Sequence, residues 1–174
     1  MALGLVLACA LASGPACAMA PPTPEAQIKA GIVFNLALVV SWPDSMAGGS
    51  AFGIGVIGHD AADPYLGSLA VKTMRGHALA LRDPLPAGSL ADVQIVFISR
   101  SQVTALPNLL AMLAGKPVLT VSEMDDFCER GGMVQMRRER NRVQLRVNRH
   151  AAEKVGLRLS SQLLKVAELV EGGD

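Results

Sequence analysis

The chain has 174 residues, 51% of them hydrophobic and only 3% aromatic, with a formal net charge of +1 at pH 7. That length suits one domain whose core is built from Leu, Val, Ile, Ala and Met. A charge so near zero excludes a global electrostatic pull toward nucleic acid, and no nucleic-acid partner is expected. Residues 1–20 carry no charge, are nearly all small or apolar, and end Ala16-Cys17-Ala18 before Met19-Ala20. This small-x-small pattern predicts a secretory signal peptide cut after Ala18 or Ala20, although the usual basic residue before the apolar run is missing. Pro21 disfavours the second position. A membrane anchor is the competing reading, but Ser13, Gly14 and Pro15 interrupt the run and it is short for a bilayer span. Leu7-Ala8-Cys9 hints at a lipoprotein box, with too little apolar chain before it.

The mature chain, 21–174, reads as a single soluble, exported domain. Pro21-Pro22-Thr23-Pro24 is a stiff lead-in. From Glu25 to Ser41, Ile28, Ile32, Leu36 and Val39 or Val40 recur at helical spacing, and Trp42-Pro43 stops the helix. Phe52–Ile57 reads as a buried strand and Asp63–Ala70 as a short helix with Asp63 at its N-cap. Ala78–Arg82, Val93–Ser99 and Pro117–Ser122 read as strands. Ser101–Leu113 reads as helical, with Pro107 as a kink or a second start. Met133–Arg138 and Arg142–Asn148 flank a turn. In the second of these, Val143, Leu145 and Val147 alternate with Gln144, Arg146 and Asn148, which predicts a hairpin with one wet face. Asn148 caps a helix through Val155, Gly156 breaks it, and Ser160 starts a last helix to Val170.

Strands alternating with helices predict an α/β domain of three layers. Its mainly parallel sheet is extended by a C-terminal antiparallel hairpin and followed by a final helix pair. The first and last helices are expected to pack together.

Motifs that would carry chemistry are weak. Gly53-Ile54-Gly55-Val56-Ile57-Gly58 matches G-x-G-x-x-G, but a dinucleotide site needs those glycines after the strand, and here they lie inside it. Close packing of the first helix on the strand explains them better. His59, His77 and His150 have no partner at metal-ligand spacing, so no metal is expected. No G-x-S-x-G elbow occurs, no catalytic residue can be named, and no cofactor is implied. Asp125 or Asp126 reads as the cap of a helical turn before Cys128. Arg137-Arg138-Glu139-Arg140-Asn141-Arg142 is a dense basic run at the hairpin tip, without aromatic neighbours. It reads as solvated, or as a contact for anionic lipid or an acidic partner. Of three cysteines, Cys9 and Cys17 leave with the signal peptide. Cys128 then has no intramolecular partner and is either a buried structural thiol or a bridge between chains.

Four blocks, taken in register, carry a family resemblance. They are Gln27–Leu36 closing on Ser41-Trp42-Pro43; Val118–Glu123; Gly131–Val134; and Val143–Asn148 continuing through Leu157–Lys165. The chain resembles the YfiR/HmsC family over nearly all of its length after the first two dozen residues. The resemblance implies a non-enzymatic protein of the periplasm and a homodimer. It also implies the partner, an inner-membrane diguanylate cyclase held inactive through its periplasmic sensor domain, which keeps cyclic di-GMP and biofilm formation low. Some members carry intramolecular disulfides, which this chain cannot form.

The alternative is a periplasmic small-molecule sensor acting on another membrane receptor, such as a histidine kinase. A hydrolase or nucleotide-binding enzyme ranks below both, because no nucleophile and base are paired. In an open parallel sheet ligands bind beyond the carboxyl ends of the strands. His59, Asp60, Arg100 and Glu123 follow three predicted strands and are the candidates for binding an effector or partner there. Trp42, the sole tryptophan, is either core or an exposed anchor for a partner.

Overall fold

The computed structural model describes residues 24–44, 51–59, 65–67, 69, 72–74, 76–85, 89–90, 92–140 and 142–172. The predicted leader, its cleavage sites, the Asp63 cap and the candidate Asp60 lie outside these residues. Helix α1 spans Pro24–Val39 and runs directly into strand β1, Val40–Ser41. Strand β2 is Ala51–Ile57, β3 is Thr73–Met74, β4 is His77–Arg82 and β5 is Ile95–Ile98. A 3-10 turn at Arg100–Gln102 leads to α2, Leu106–Leu113, which begins with Pro107 in its first turn, where a proline has no amide to lose. Strand β6 is Leu119–Ser122, β7 is Val134–Glu139 and β8 is Arg142–Val147. Helix α3 (Arg149–Lys154), β9 (Arg158–Leu159), α4 (Ser161–Val166) and β10 (Glu168–Leu169) complete the chain.

The main sheet has the order β10-β8-β7-β6-β5-β2-β4-β3. Five neighbouring strands, β7-β6-β5-β2-β4, are parallel, and β3 and β8 run against them. The chain enters at β2, adds β4 on one side, then crosses to β5 on the other. That reversal puts a topological switch point between β2 and β5.

Side-chain alternation sends two apolar sets to opposite faces. Ile54, Val56, Ile95, Phe97, Leu119 and Val121 meet α1, Tyr65, Leu66 and Leu69, with Ala152 of α3 and Leu163 of α4 in the same core. Val96, Ile98 and Leu85 face the other way, against Leu106 and Leu113 of α2 and against Phe127. Helices therefore cover both faces of a mixed, mostly parallel sheet. Each fully buried Leu, Ile or Phe contributes about 1.5–3 kcal/mol, so such packing is the main source of stability.

Several expectations need correction. The antiparallel hairpin of β7 and β8 does extend the sheet, but its first strand joins β6 in parallel, so only its second strand runs against β6. The turns over residues 123–133 carry the chain back to the starting edge before β7 begins. The last helix stops at Val166, not Val170. Ala167 is extended, and Glu168 and Leu169 pair with β8 instead, with the Val170 amide donating to the Val147 carbonyl at 2.9 Å. An unpaired strand edge offers these residues ladder bonds that a frayed helix end lacks.

The buried face of α1 is Ala30, Val33, Leu36 and Ala37, while Ile28 is 55% exposed. Apolar residues lie on nearly every side of this helix, so spacing alone does not select the inward face. Nor do Gly53 and Gly55 admit α1. They face the opposite layer, where a Cβ on Gly53 would sit 1.9 Å from the Asp92 carbonyl oxygen and one on Gly55 would sit 2.7 Å from Leu85. The end of α1 joins the C-terminal region through a small ribbon in which Val40 pairs with Leu159 and Ser41 with Arg158.

Candidate functional site

The carboxyl ends of β2, β5 and β6 bring His59, Arg100 and Glu123 to one edge of the sheet. A hydrogen-bonded mesh holds them there. The His59 amide donates to Ser101 Oγ at 3.2 Å, and the Ser99 amide donates to the Ile57 carbonyl at 2.9 Å. Arg100 Nε donates to the Glu123 carbonyl at 3.0 Å, tying the turn after β5 to the end of β6. Ser122 Oγ donates to the Ile98 carbonyl at 2.7 Å and accepts from the Met124 amide at 3.1 Å.

The crevice at the switch point is narrow. Gly58 holds a left-handed backbone with φ +95°, and a Cβ there would come within 2.7–3.0 Å of Gln102, Ser101 and Ser99. The protein's own 3-10 turn thus lies across the place where doubly wound folds usually take a ligand.

Glu123 points away from this crevice toward α1. Its Oε2 accepts from Lys29 Nζ at 2.9 Å and its Oε1 from the Tyr65 hydroxyl at 3.0 Å. The Lys29 and Glu123 side chains are only 12% and 9% exposed, so this is a desolvated pair. Lys29 Nζ also lies 6.0 Å from the Tyr65 ring centroid, and that ring stacks edge-on against Phe97 at 6.3 Å. The carboxylate thus fastens the first third of α1 to the sheet edge, and any group bound by Glu123 must displace Lys29 or Tyr65. His59 and Arg100, by contrast, are exposed.

Trp42 is at the other end of the molecule, beside the amino ends of the strands. Its indole Nε1 donates to the Gln94 carbonyl at 3.1 Å, and its ring meets Phe52 edge-on at 5.1 Å. It is half-buried and packs against the core.

Cys128 is buried, and its thiol donates toward the Arg146 carbonyl at 3.3 Å. Burial pushes the thiol up to about 12, only partly offset by the Asn148 backbone amide, so it stays protonated and inert at neutral pH. Next to it, Arg146 bonds Glu129 at 2.7 Å, Glu168 at 3.2 Å and Gln135 at 3.2 Å, clamping β10 to the hairpin base.

Among the described residues, no group of three or more His, Cys, Asp or Glu side chains is placed to hold a metal ion, and no helix is long and apolar enough to cross a membrane.

The sequence profile of the YfiR/HmsC-like family matches residues 26–168. The chain belongs to this family. The match begins in the first turn of α1 and ends as β10 begins, so it takes in both cores, the carboxyl-edge mesh and the hairpin. No curated protein matches the chain. Within this family member, Lys29 and Tyr65 are the partners that sequence reasoning missed. Lys29 did carry a signal, since it is a lone cation among the apolar residues of the first helix, and such a residue calls for a counter-charge. Tyr65 is the only tyrosine, and a buried phenol needs an acceptor.

Proposed function

We propose that this protein is a regulatory binding protein of the periplasm that holds an inner-membrane diguanylate cyclase inactive by engaging its periplasmic sensor domain. Membership of the YfiR/HmsC-like family across 26–168 is the observation that carries this reading. The uncharged leader ending Ala16-Cys17-Ala18 supports export, and we assign the signal peptide to 1–20 and one domain to 21–174. A homodimer is the acting form.

The protein performs no bond chemistry in this role. Control requires only that it bind the inactive cyclase state more tightly than the active one. A near-complete switch between the two states takes a difference of about 5.5 kcal/mol, which a protein interface with a few well-packed anchors supplies. Dissociation then frees the cyclase, and cyclic di-GMP and surface attachment rise. His59 and Arg100, exposed on the carboxyl edge, are contact candidates, and Arg100 suits a carboxylate or phosphate group.

The test is genetic. Deleting the gene raises cyclic di-GMP and surface attachment, and supplying it in trans restores both. Unchanged cyclic di-GMP in a deletion strain that retains its membrane cyclases refutes the proposal.

A further inference from the structure

The hairpin is longer than the sheet that supports it. Strand β6 pairs with β7 only at Val134 and Gln135, and β10 pairs with β8 only at Arg146 and Val147. From Met136–Leu145 outward to Glu139–Arg142, four cross-strand pairs continue with no neighbouring strand on either side among the described residues. That is an overhang of about 13 Å at the usual rise of a strand.

The core thins out along this overhang. Val143 and Leu145 pack against the α1-side core but stay only partly buried. Ile32 of α1 and Val166 of α4 line the same surface with them, and Val166 is 71% exposed. Between these residues lies a groove of about 930 Å³, with Arg140 and Arg142 at its outer end. Ile28 lies one turn from Ile32 on the same helix face and extends the apolar strip. Of the charges at the tip, Glu139 is taken by Arg137, so the rim presents net positive charge.

We infer that this groove is the docking site for an acidic, amphipathic segment of the partner protein, one that alternates apolar side chains with Asp or Glu. The inference rests on the reading of the protein as a regulatory binding partner and names the surface and the partner's chemistry. The apolar side chains cover Val143, Leu145, Ile32 and Val166, and the carboxylates meet Arg140 and Arg142. A bilayer fits less well, because Ile32, Val143 and Leu145, which make up most of the apolar lining, are only partly exposed. Arginines at a rim chiefly set partner choice and association rate, while the apolar floor sets residence time.

Two readouts test this. In vitro, the probes are a synthetic peptide of alternating leucine and glutamate, its leucine–lysine counterpart, and phosphatidylglycerol vesicles, each presented to the full mature protein. The glutamate peptide binds at least about tenfold more tightly than the lysine peptide. Arg140→Glu/Arg142→Glu inverts that preference, Arg140→Lys/Arg142→Lys keeps it, and Val166→Glu weakens the glutamate peptide. Val103→Glu, on the turn before α2, changes nothing. Circular dichroism confirms that each variant is folded. Equal affinity for both peptides, or binding to vesicles alone, overturns the proposal.

In cells, Arg140→Glu/Arg142→Glu reproduces the rise in cyclic di-GMP seen on deletion. Deletion raising cyclic di-GMP while this variant represses like wild type overturns the groove and leaves the regulatory reading standing. Deletion without effect sinks the regulatory reading, and the peptide preference then decides the groove by itself.

Discussion

Replacing Glu123 with Gln tests whether the carboxyl edge holds α1 in place. Lys29 and Glu123 meet at 2.9 Å with side chains 12% and 9% exposed. Removing one member of such a pair leaves the other charge desolvated and costs about 3–5 kcal/mol. The Gln side chain keeps a carbonyl for the Tyr65 hydroxyl, and the Lys29 stem can carry its ammonium toward solvent, so the low end applies, about 3 kcal/mol. For a domain of this size that lowers Tm by roughly 6–12 °C. Lys29→Met/Glu123→Gln removes both charges and loses only about 1 kcal/mol, because a neutral replacement of the whole pair avoids the stranded ion.

Urea unfolding followed by Trp42 fluorescence measures all three proteins. Trp42 is the sole tryptophan and sits beside the opposite end of α1, so its signal reports the whole domain. A Glu123→Gln protein within about 0.5 kcal/mol of wild type refutes the reasoning, as does a double variant no better than the single one.

The remaining expectations concern other contacts. The Cys128 thiol is raised to about 12 from an ordinary 9.0, so the folded state holds its proton more tightly than the unfolded chain. The resulting contribution is complete below pH 9 and declines as pH rises toward 12; relative to Cys128→Ser, urea titrations therefore show a falling difference across that window. Gly53→Ala places a Cβ 1.9 Å from the Asp92 carbonyl oxygen, a backbone clash worth about 2–4 kcal/mol in a denaturation assay. Asn148→Ala removes both the cap bond to the Ala151 amide at 2.9 Å and the side-chain hydrogen bond to the Cys128 carbonyl at 3.1 Å, for about 2–3 kcal/mol; Asn148→Ser keeps a capping oxygen and loses the second bond, and thermal melts place it between.

Much of the sheet was legible because its inner strands are short, fully apolar and bounded by turn residues. Phe52–Ile57 and Pro117–Ser122 needed no tertiary information to be recognised. The caps at Asn148 and Ser160 were equally plain, since their side chains accept from the amides of Ala151 and Leu163 within their own helices. The two-residue strands β1, β3, β9 and β10 were not legible, because each exists only by pairing with a partner strand. The same holds for the edge at which β7 joins β6, which is decided by the path of 123–133. Glu123 was placed at the correct edge, but its direction was hidden. Strand order shows where a carboxylate emerges, and only the packed α1 shows that Lys29 is waiting there.

The ribbon of β1 and β9 has a consequence for the order in which the chain completes itself. Val40 finds its mate at Leu159, and the Val39 carbonyl accepts from the Ser160 amide. A chain delivered from its N-terminus, by synthesis or by threading through a membrane, releases α1 first and Leu159 nearly last. Lys29 waits for Glu123, and Val40 waits longer still. The first helix made is therefore the last to be fastened at its far end, and loop closure over more than a hundred residues makes that step slow relative to the local turns. Until then α1 is held by the sheet and by the Lys29–Glu123 pair but not at its far end, and truncation after β8 leaves that end permanently unlatched.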